Sequence, residues 1–564
     1  MEHFKLRLQH ILVIFALLTL GPAVWSQVTS VQQLPSIDAV NELATLPIEY
    51  VDFIRAEQSN DYTAKDTTVT ESFRAKGLNI FRVGYIEVPR DRLDVELALE
   101  YSELISTHLL RSENGTEYVR FFIHPDSEHL YQPLIDEFGY KGYYNALATA
   151  STRSVLAWDP ARRQVEPVFL KLSLAQFQDQ MGRVIPGWEV RRGVRVTELL
   201  SQDKKDKVQS SKITVIPEVA GAFVKKEERL GFKVDADQGL VFDHGFILRD
   251  ASFIKKFRGK MVVPLFWLFS HRGSKPPLII ELFQAEQKRT GATFEEFMQK
   301  YLFEPFVRDN LPMMLFQGIV PQIHGQNVVL VLNPTTFEIE HTLHRDIGSM
   351  KTDYRLRWIQ DRPIHQLRSD LADKDFGLSW GAEKIQAYFK DYFHDWVFRW
   401  GYKSTIEKYI PGFRISATEA KLMETLKSEL SRNLQMPVGK LTVTELIMSY
   451  IASKVPTSFQ AASFGTQSLS RSTQAEVEEF LRLRESRKQS VPFPQTWSDS
   501  FVRTNPKIQT QGYVHTLYGI VYSKGKPGEL HIAFYDRPLA RSAVSPAHGP
   551  SWAGGFLRCQ ALFQ

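Results

Sequence analysis

The chain has 564 residues, of which 43% are hydrophobic and 12% are aromatic. This composition excludes a disordered or fibrous protein and predicts about two to four globular domains with sizeable cores. The 69 basic and 64 acidic residues are interleaved and leave a net charge of only +5, so nothing in the composition calls for nucleic acid as a partner.

The first 26 residues have the three parts of a secretory signal peptide. Lys5 and Arg7 precede the apolar stretch 11–20, and small residues follow as far as Ser26. This order predicts that residues 1–26 are a signal peptide and that the protein is exported, to the periplasm or to the medium. An uncleaved signal that anchors the chain to the inner membrane is the alternative.

The rest of the sequence contains no other stretch long and apolar enough to span a bilayer, so we expect contact with a membrane only through this signal. Cys559 is the only cysteine. An exported chain with one cysteine forms no internal disulfide and no cysteine-based zinc site. Packing alone is therefore expected to stabilise the fold.

Hydrophobic periodicity predicts a mixture of helices and strands in the first half of the chain. Residues 37–58 and 91–113 show helical spacing of their apolar positions. Segments rich in β-branched and aromatic residues predict three strands, at 118–125, 165–174 and 211–226. The apolar stretch 261–270 fits a buried strand or a buried helix. We therefore expect an α+β protein with antiparallel pairing.

The second half begins with a helix predicted over 293–317, with Thr293 as its N-cap and Glu296 three residues on. The segment "NPTT" then predicts a turn between strands at 328–332 and 336–348. Three further predictions follow in chain order: mainly helices over 382–485, a loop at 458–473 and a hairpin at 513–536.

The segment "GIVPQIHGQNVVLVL" places polar residues at the entrance of a buried strand. His324, Gln326 and Asn327 stand directly before the apolar run 328–332. Polar residues at such a point either cap the edge of the sheet or face a ligand. The sequence around this segment leaves both interpretations open.

Other polar clusters stand beside predicted strands: His124 with Pro125; Ser151, Thr152, Arg153 and Ser154; Lys171 with Arg183 twelve residues on; and Arg345 with Asp346. Each has a structural alternative. A lone His at a strand end is more often structural, hydroxyls beside an Arg form a solvated turn, and a Lys within a strand can lie on its solvent face.

Taken together, the clusters indicate a site for an anion. Cations outnumber anions among them, and hydroxyls beside an Arg suit phosphate or carboxylate oxygens. Asn and Asp oxygens are suited to hold Mg²⁺ between phosphates. The chain has no G-x-x-x-x-G-K-[ST] loop, and nothing in it resembles a Ser-His-Asp triad.

The order of the clusters resembles the NRPS-independent siderophore (NIS) synthetases, the aerobactin-synthetase-like (IucA/IucC) family, over roughly residues 118–350. That family has a His-Pro pair, a Ser/Thr-Arg-Thr segment, a Lys-containing strand followed by an Arg, a Gly-Ile-x-x-Glu-x-His-x-Gln-Asn segment and an Arg-Asp pair. This chain has the same order, from His124-Pro125 through Gly318-Ile319 to Arg345-Asp346. Gln322 stands where the family has Glu.

The resemblance implies a cupped-hand synthetase fold with thumb, fingers and mainly helical palm regions. We expect the fingers to contain an antiparallel sheet plus helices. The implied organisation is a signal peptide at 1–26, a thumb-like region at 27–115, a fingers-like nucleotide-binding region at 116–310, and a palm-like region at 311–564 that ends in the hairpin.

The resemblance also implies a reaction. Such enzymes use ATP and Mg²⁺ to adenylate a carboxylate, commonly of citrate, and then condense it with an amine or a hydroxyl. The implied phosphate contacts are Ser151, Arg153, Ser154, Lys171 and Arg183, with His124 near the α-phosphate. The implied substrate and metal contacts are His324 and Arg183 for the carboxylate, and Asn327 and Asp346, with Gln326 nearby, for Mg²⁺ and nucleotide.

Two functions of different class follow from this resemblance. The first is an exported ligase whose catalytic residues include His324, Arg183 and Lys171. The second is an exported, non-catalytic binding protein for citrate-like or siderophore-like anions on the same fold. The first is favoured by the retention of Lys171, Arg183, His324, Asn327 and Asp346, and the second is favoured by Gln322, by Asp126 in place of a family His, and by the export signal. The expected partners in both cases are small molecules, and the sequence leaves open whether the chain forms a homodimer.

Overall fold

The structure is a computed structural model that describes residues 37–59, 69–178, 181–205, 214–225, 232–235, 239–241, 243–352 and 384–435. The predicted signal peptide, the predicted loop at 458–473 and the predicted hairpin at 513–536 lie outside these residues. None of the helices in the described part combines the length and the apolar character that crossing a membrane requires.

In chain order, the described strands are β1 (Ile80–Pro89), β2 (Leu93–Leu97), β3 (Leu110–Glu113), β4 (Thr116–Ile123), β5 (Tyr140–Ala148), β6 (Ser154–Trp158), β7 (Val168–Leu172), β8 (Leu174–Gln178), β9 (Met181–Arg183), β10 (Thr214–Val215), β11 (Glu218–Val224), β12 (Phe232–Asp235), β13 (Gly239–Val241), β14 (Gly245–Asp250), β15 (Met261–Pro264), β16 (Ile319–Val320), β17 (Val328–Leu332), β18 (Ile339–His344) and β19 (Lys351–Thr352).

The described α-helices are α1 (Ala39–Leu43), α2 (Ile48–Gln58), α3 (Ser102–His108), α4 (Gln132–Phe138), α5 (Gly187–Lys205), α6 (Phe253–Lys256), α7 (Leu278–Thr290), α8 (Phe294–Met298), α9 (Glu304–Pro312), α10 (Lys384–Tyr388), α11 (Lys403–Tyr409) and α12 (Ile415–Leu434). Four π-helical segments are Gln299–Phe303, Met313–Gln317, Phe389–His394 and Trp396–Gly401. Short 3-10 turns are Glu71–Phe73, Arg90–Arg92, Leu99–Tyr101, Pro125–Leu130, Leu265–Phe269 and Ile347–Ser349.

The chain divides into two compact units. The first comprises Met1–Thr197 with Ile216–Lys275, and the second comprises Glu198–Val215 with Pro276–Gln564. The thumb, fingers and palm boundaries expected from the sequence remain predictions. Strands β3 and β4, which flank the expected boundary at 115, are paired with each other in one sheet.

The first unit is built on an antiparallel sheet. Among the described residues, nine strands form it in the order β2-β11-β14-β7-β6-β5-β1-β4-β3. Every neighbouring pair is antiparallel. The α+β prediction and the expected antiparallel pairing are therefore confirmed.

Aromatic side chains fill much of the core of this sheet. Phe121 and Phe122 on β4 both pack edge-to-face against Phe246 on β14, with ring centroids 5.4 Å apart. Phe122 also lies 5.1 Å from Tyr144 on β5. Each fully buried ring of this size contributes about 1.5–3 kcal/mol relative to an exposed one. This packing fixes strands β4 and β5, which end directly before His124 and directly before the turn to β6.

The helix predicted over 91–113 is wrong. Residues Leu93–Leu97 form β2, which pairs with β11, and only Ser102–His108 is α-helical. The reason lies in the spacing. Leu93, Val95 and Leu97 alternate with Asp94 and Glu96, which is the period of two expected of a strand.

The helix predicted over 293–317 is confirmed as a continuous helical run of alternating α and π segments. Thr293 and Glu296 form the predicted capping box, in which each side chain bonds the other residue's backbone N–H. Gly318 ends the run in the left-handed conformation, with φ 60°. The segment 318–327, which contains His324, therefore follows the helical run directly.

The strand at 328–332 is confirmed as β17, and its five residues are all fully buried. It pairs antiparallel with β18, and β18 pairs parallel with β10. Strands β16 and β19 pair with each other on either side of this hairpin. The loop 321–327 and the segment Arg345-Asp346 are thereby joined at the same end of β17 and β18.

Candidate functional site

In the first unit, the turn between β5 and β6 holds three of the predicted phosphate contacts. Ser151 Oγ accepts a hydrogen bond from the Ser154 backbone N–H, at 3.3 Å. Thr152 has φ 58°, a left-handed conformation that is costly for a β-branched residue. Its hydroxyl donates to the Ser151 carbonyl at 2.7 Å. Strain of this kind is found most often at ligand sites, and it sets the direction of the flanking side chains.

Two arginines tie this turn to strand β9. The Arg183 guanidinium donates to the Ser151 carbonyl at 2.9 Å, and the Arg153 guanidinium donates to the Arg183 carbonyl at 3.2 Å. Both side chains are only partly exposed. Guanidinium groups form strong, charge-assisted hydrogen bonds to carboxylate and phosphate oxygens. The arrangement therefore favours a ligand with anionic oxygens.

Lys171 lies on β7 directly opposite Ser154 on β6. Its side chain is only 3% exposed, so the interpretation of Lys171 as a solvent-facing residue is wrong. The ammonium lies 2.5 Å from a carboxylate oxygen of Glu189, in the first turn of α5. Sequence reasoning missed Glu189, because a carboxylate eighteen residues away gives no local signal. Its charge offsets part of the charge of Lys171.

His124 is buried between two aromatic rings, Phe73 at 5.7 Å and Phe81 at 5.6 Å. Its Nδ1 accepts a hydrogen bond from the Asp126 backbone N–H, at 3.1 Å. The proton of the neutral ring therefore lies on Nε2. Nε2 is buried and has no hydrogen-bond partner among the described residues. Burial lowers the pKa of His124 to about 4, so the ring is a neutral donor at pH 7.

Asp126, where the family has a His, has a structural partner. Its carboxylate accepts from the Thr70 backbone N–H at 2.8 Å and from the Thr70 hydroxyl at 2.5 Å. The residue thus holds the segment around Val69, which packs in the same core as Phe73. This contact explains why an acid is accommodated beside His124.

In the second unit, His324 repeats the local geometry of His124. Its Nδ1 accepts from the backbone N–H two residues on, that of Gln326, at 3.3 Å. The neutral ring again has its proton on Nε2. Burial lowers the pKa of His324 to about 4, with a smaller opposing effect of Asp346. His324 is therefore also a neutral hydrogen-bond donor at pH 7.

The segment Arg345-Asp346 is bonded to the loop that contains His324. The Arg345 backbone N–H donates to the Asn327 carbonyl at 3.0 Å, and its guanidinium donates to the Gln326 carbonyl at 2.9 Å. Asp346 follows in the left-handed conformation, with φ 58°. The structure thus brings together the predicted contacts of this unit, which are His324, Gln326, Asn327 and Asp346.

Asn327 and Asp346 fit a divalent cation by their chemistry. The Asn327 side-chain nitrogen donates to Gln322 at 3.3 Å, and its oxygen is buried without a partner in the described part of the chain. A buried acceptor with no donor costs about 1–3 kcal/mol unless a ligand satisfies it. Mg²⁺ prefers carboxylate and amide oxygens and takes one or two of them from the protein.

A second group of potential metal ligands was not anticipated from the sequence. His394, Asp395 and Glu419 each place a ligand atom within 4.8 Å of the others. These groups have partners without a metal: His394 Nε2 contacts the Thr418 hydroxyl at 2.9 Å, Asp395 pairs with Arg399 at 3.1 Å, and Glu419 pairs with Lys390 at 3.6 Å. We therefore assign this cluster to helix packing.

No protein-family model matches the chain, and no curated protein matches it. Solved structures similar to it include ATP-bound aerobactin synthetase IucA from a hypervirulent pathotype of Klebsiella pneumoniae. That structure is 14% identical with a TM-score of 0.48, and the match covers 73% of this chain and 75% of that one.

Two other similar structures have related names. Aerobactin synthetase IucC from the same pathotype is 16% identical with a TM-score of 0.43, and the match covers 70% of this chain and 74% of that one. Petrobactin biosynthesis protein AsbB from Bacillus anthracis is 13% identical with a TM-score of 0.42, covering 74% and 67%. These proteins belong to the family that the motifs resemble.

Proposed function

We propose that the chain is an ATP-dependent ligase of the siderophore-synthetase type. It would adenylate a citrate-like carboxylate and condense the product with an amine or a hydroxyl. The observation that most supports this proposal is that Arg153 and Arg183 are both bonded within the turn that leads from Ser151 to Ser154 and its partner strand β9. Such a group of donors suits the oxygens of a polyphosphate.

The proposed first step joins a substrate carboxylate to the α-phosphorus of ATP. A carboxylate oxygen forms a bond to the α-phosphorus. At the same time, the bond between the α-phosphorus and the pyrophosphate oxygen breaks. Negative charge increases on the phosphoryl and pyrophosphate oxygens as this happens. Arg153, Arg183 and Lys171 are the residues proposed to stabilise that charge, because cations that are already in position need no reorganisation. An amine or hydroxyl would then displace AMP from the acyl carbon.

His124 and His324 would serve as neutral donors. Each Nδ1 is occupied by a backbone N–H, so each ring presents only Nε2–H to a ligand. We assign the His124 donor to an α-phosphate oxygen and the His324 donor to the substrate carboxylate. A neutral imidazole in this role donates over the whole range from pH 5 to 8 without changing its charge.

Asn327 and Asp346, with Gln326 nearby, are the residues proposed to hold Mg²⁺. The ion, when bound, would neutralise phosphate charge and polarise the phosphoryl oxygens. The protein's own part is to present two oxygen ligands on a loop that Arg345 fixes through the Asn327 and Gln326 carbonyls.

The second candidate function is an exported binding protein for citrate-like or siderophore-like anions. The Lys171–Glu189 pair favours it, because Glu189 reduces the positive charge available to phosphates. Gln322 favours it too, since a neutral amide, which accepts a hydrogen bond from Asn327, stands where the family has a negatively charged carboxylate.

Thermal unfolding of the purified protein separates the two candidates. Ligand at about a hundred times its dissociation constant adds about 2.7 kcal/mol to the free energy of unfolding. On the ligase proposal, ATP with Mg²⁺ raises Tm, and citrate added to both leads to pyrophosphate release. A Tm shift with citrate alone, and none with millimolar ATP, would select the binding protein.

A further inference from the structure

The ring of His324 lies against the indole of Trp396. Their centroids are 5.3 Å apart and their planes differ by 29°, which is a stacked geometry. Trp396 begins the π-helical segment Trp396–Gly401. Trp400, in the same segment, meets Trp396 edge-to-face at 5.7 Å and is 55% exposed. Neither tryptophan has a role in the function proposed above.

We propose that Trp396 is a positioning residue for His324, which it orients so that Nε2–H points at the bound carboxylate. The proposal rests on the proposed function, in which His324 binds that carboxylate. Trp396 contacts the imidazole directly, so we expect it to act on the carboxylate through His324.

His324 needs a second constraint, because its own loop provides only one. The hydrogen bond from Gln326 is 3.3 Å long, beyond the usual range for N–H donors, and Gly325 lies between the two residues. Such a bond fixes the tautomer but leaves the plane of the ring free to tilt. A stacked indole restricts that tilt, since aromatic pairs are worth about 0.5–1.5 kcal/mol beyond their area.

The backbone position of Trp396 is fixed by the buried residues that follow it in the helix. The next two residues, Val397 and Phe398, are fully buried, and Phe398 packs against Phe303 at 5.9 Å. The Tyr402 backbone N–H donates to the Val397 carbonyl at 2.8 Å, five residues back, which is the bond of a π turn. Wide turns of this kind are frequent at functional sites. The indole is thus held by the core while its face covers His324.

The experiment compares Trp396→Ala, Trp396→Phe and the control Trp400→Ala. Trp400 is the same residue type in the same segment, contacts Trp396, and has no contact with His324 among the described residues. Hydrogen exchange at the His324 ring carbon, followed by mass spectrometry across pH, measures its pKa in the free protein. Citrate affinity is measured by calorimetry with Mg²⁺ and an ATP analogue that cannot be cleaved between its α- and β-phosphates, and circular dichroism checks folding.

We expect Trp396→Ala to weaken citrate binding roughly two- to tenfold, which corresponds to the stacking energy of an aromatic pair, and to move the pKa of His324 from about 4 towards 6.5, since one ring face becomes solvated. Asp346 and Arg345, the charged groups that act on His324, are unchanged in every variant. Trp396→Phe should restore both properties, and Trp400→Ala should leave both unchanged. Trp396→Leu, which keeps much of the apolar volume but has no aromatic face, takes the place of Trp396→Ala if that variant does not fold.

Unchanged citrate affinity and an unchanged His324 pKa in Trp396→Ala would overturn the proposal, as would equal effects of Trp400→Ala. Failure of the proposed function is distinct, because it appears in the wild-type protein as no response to citrate or ATP. In that case the His324 pKa series, which needs no ligand, still tests whether Trp396 covers the ring.

Discussion

The Arg183 guanidinium donates to the backbone carbonyl of Ser151 across 2.9 Å. The bond joins two segments that are 32 residues apart in the chain. In the reverse direction, the Arg153 guanidinium donates to the Arg183 carbonyl at 3.2 Å. The hydrogen bond restricts the Arg183 side chain and holds its guanidinium at the turn that contains Thr152.

Arg183→Ala should abolish the response to nucleotide without unfolding the protein. Loss of a charge-assisted donor at a site that is already in position costs about 2.7–4 kcal/mol, or about a hundred- to a thousandfold in rate. Pyrophosphate release and the ATP-dependent Tm shift measure the loss. The control is Arg258→Ala, because Arg258 is 83% exposed and its ion pair with Glu49 should change stability by less than about 0.5 kcal/mol. An intact ATP response in Arg183→Ala would contradict the assignment.

Glu189→Gln should strengthen binding of polyphosphate. The substitution removes the carboxylate 2.5 Å from Lys171 but keeps a side chain of the same size. We expect affinity for pyrophosphate, measured by calorimetry, to rise roughly tenfold, which is ~1.4 kcal/mol. Stability without ligand should fall, because breaking a buried ion pair leaves a charge without its partner. Equal pyrophosphate affinity in the wild type and the variant would show that Lys171 serves the fold and not a ligand.

Asp346→Asn should remove the effect of Mg²⁺ and keep the fold. Asn accepts the left-handed conformation that Asp346 adopts, so the backbone is not strained by the change. The Tm increase with ATP should become independent of Mg²⁺, and pyrophosphate release should fall. The control is Asp52→Asn, at an exposed position in the other unit. A variant that melts many degrees lower yet still responds to Mg²⁺ would show that Asp346 only caps the hairpin.

His344→Leu should make the protein less sensitive to acid. His344 is fully buried, neither ring nitrogen has a partner among the described residues, and burial lowers its pKa to about 3. As pH falls below about 6.5, the unfolded chain binds a proton that the folded chain does not. Stability is therefore lost at about 1.4 kcal/mol per pH unit down to about pH 3.

Leucine removes both this proton and the two unsatisfied nitrogens, so we expect equal or greater stability at pH 7 and a smaller loss at pH 4.5. Denaturant unfolding at both pH values measures the difference. His129→Gln, at an exposed position, is the control. A large loss of stability at pH 7 in His344→Leu would mean that the imidazole holds a ligand or a water.

The N-terminus of the protein in its native cell tests the predicted export. Cleavage of residues 1–26 would give a mature chain that begins at Gln27, which mass spectrometry detects directly. We expect that peptide together with enrichment outside the cytoplasm. Full-length protein that retains Met1 in the cytoplasmic fraction would contradict the prediction, and it would place the chain where ATP is abundant.

The sequence by itself determined several elements, because their signals are local. Thr293 with Glu296 predicted a capped helix, and the run 328–332 predicted a buried strand. Both follow from interactions within a few residues, and both are present in the structure. The order of the polar clusters along the chain likewise predicted the candidate site residues.

Only the tertiary structure decided what those residues face. Lys171 has its partner Glu189 eighteen residues further along the chain, beyond strands β8 and β9, and the His324 ring is covered by Trp396, 72 residues further along the chain. The spacing of the apolar residues alone predicted a helix over 91–113, whereas pairing with β11 makes Leu93–Leu97 a strand. Such outcomes depend on long-range packing, which determines burial, charge pairing and the direction of each donor and leaves no pattern in the neighbouring sequence.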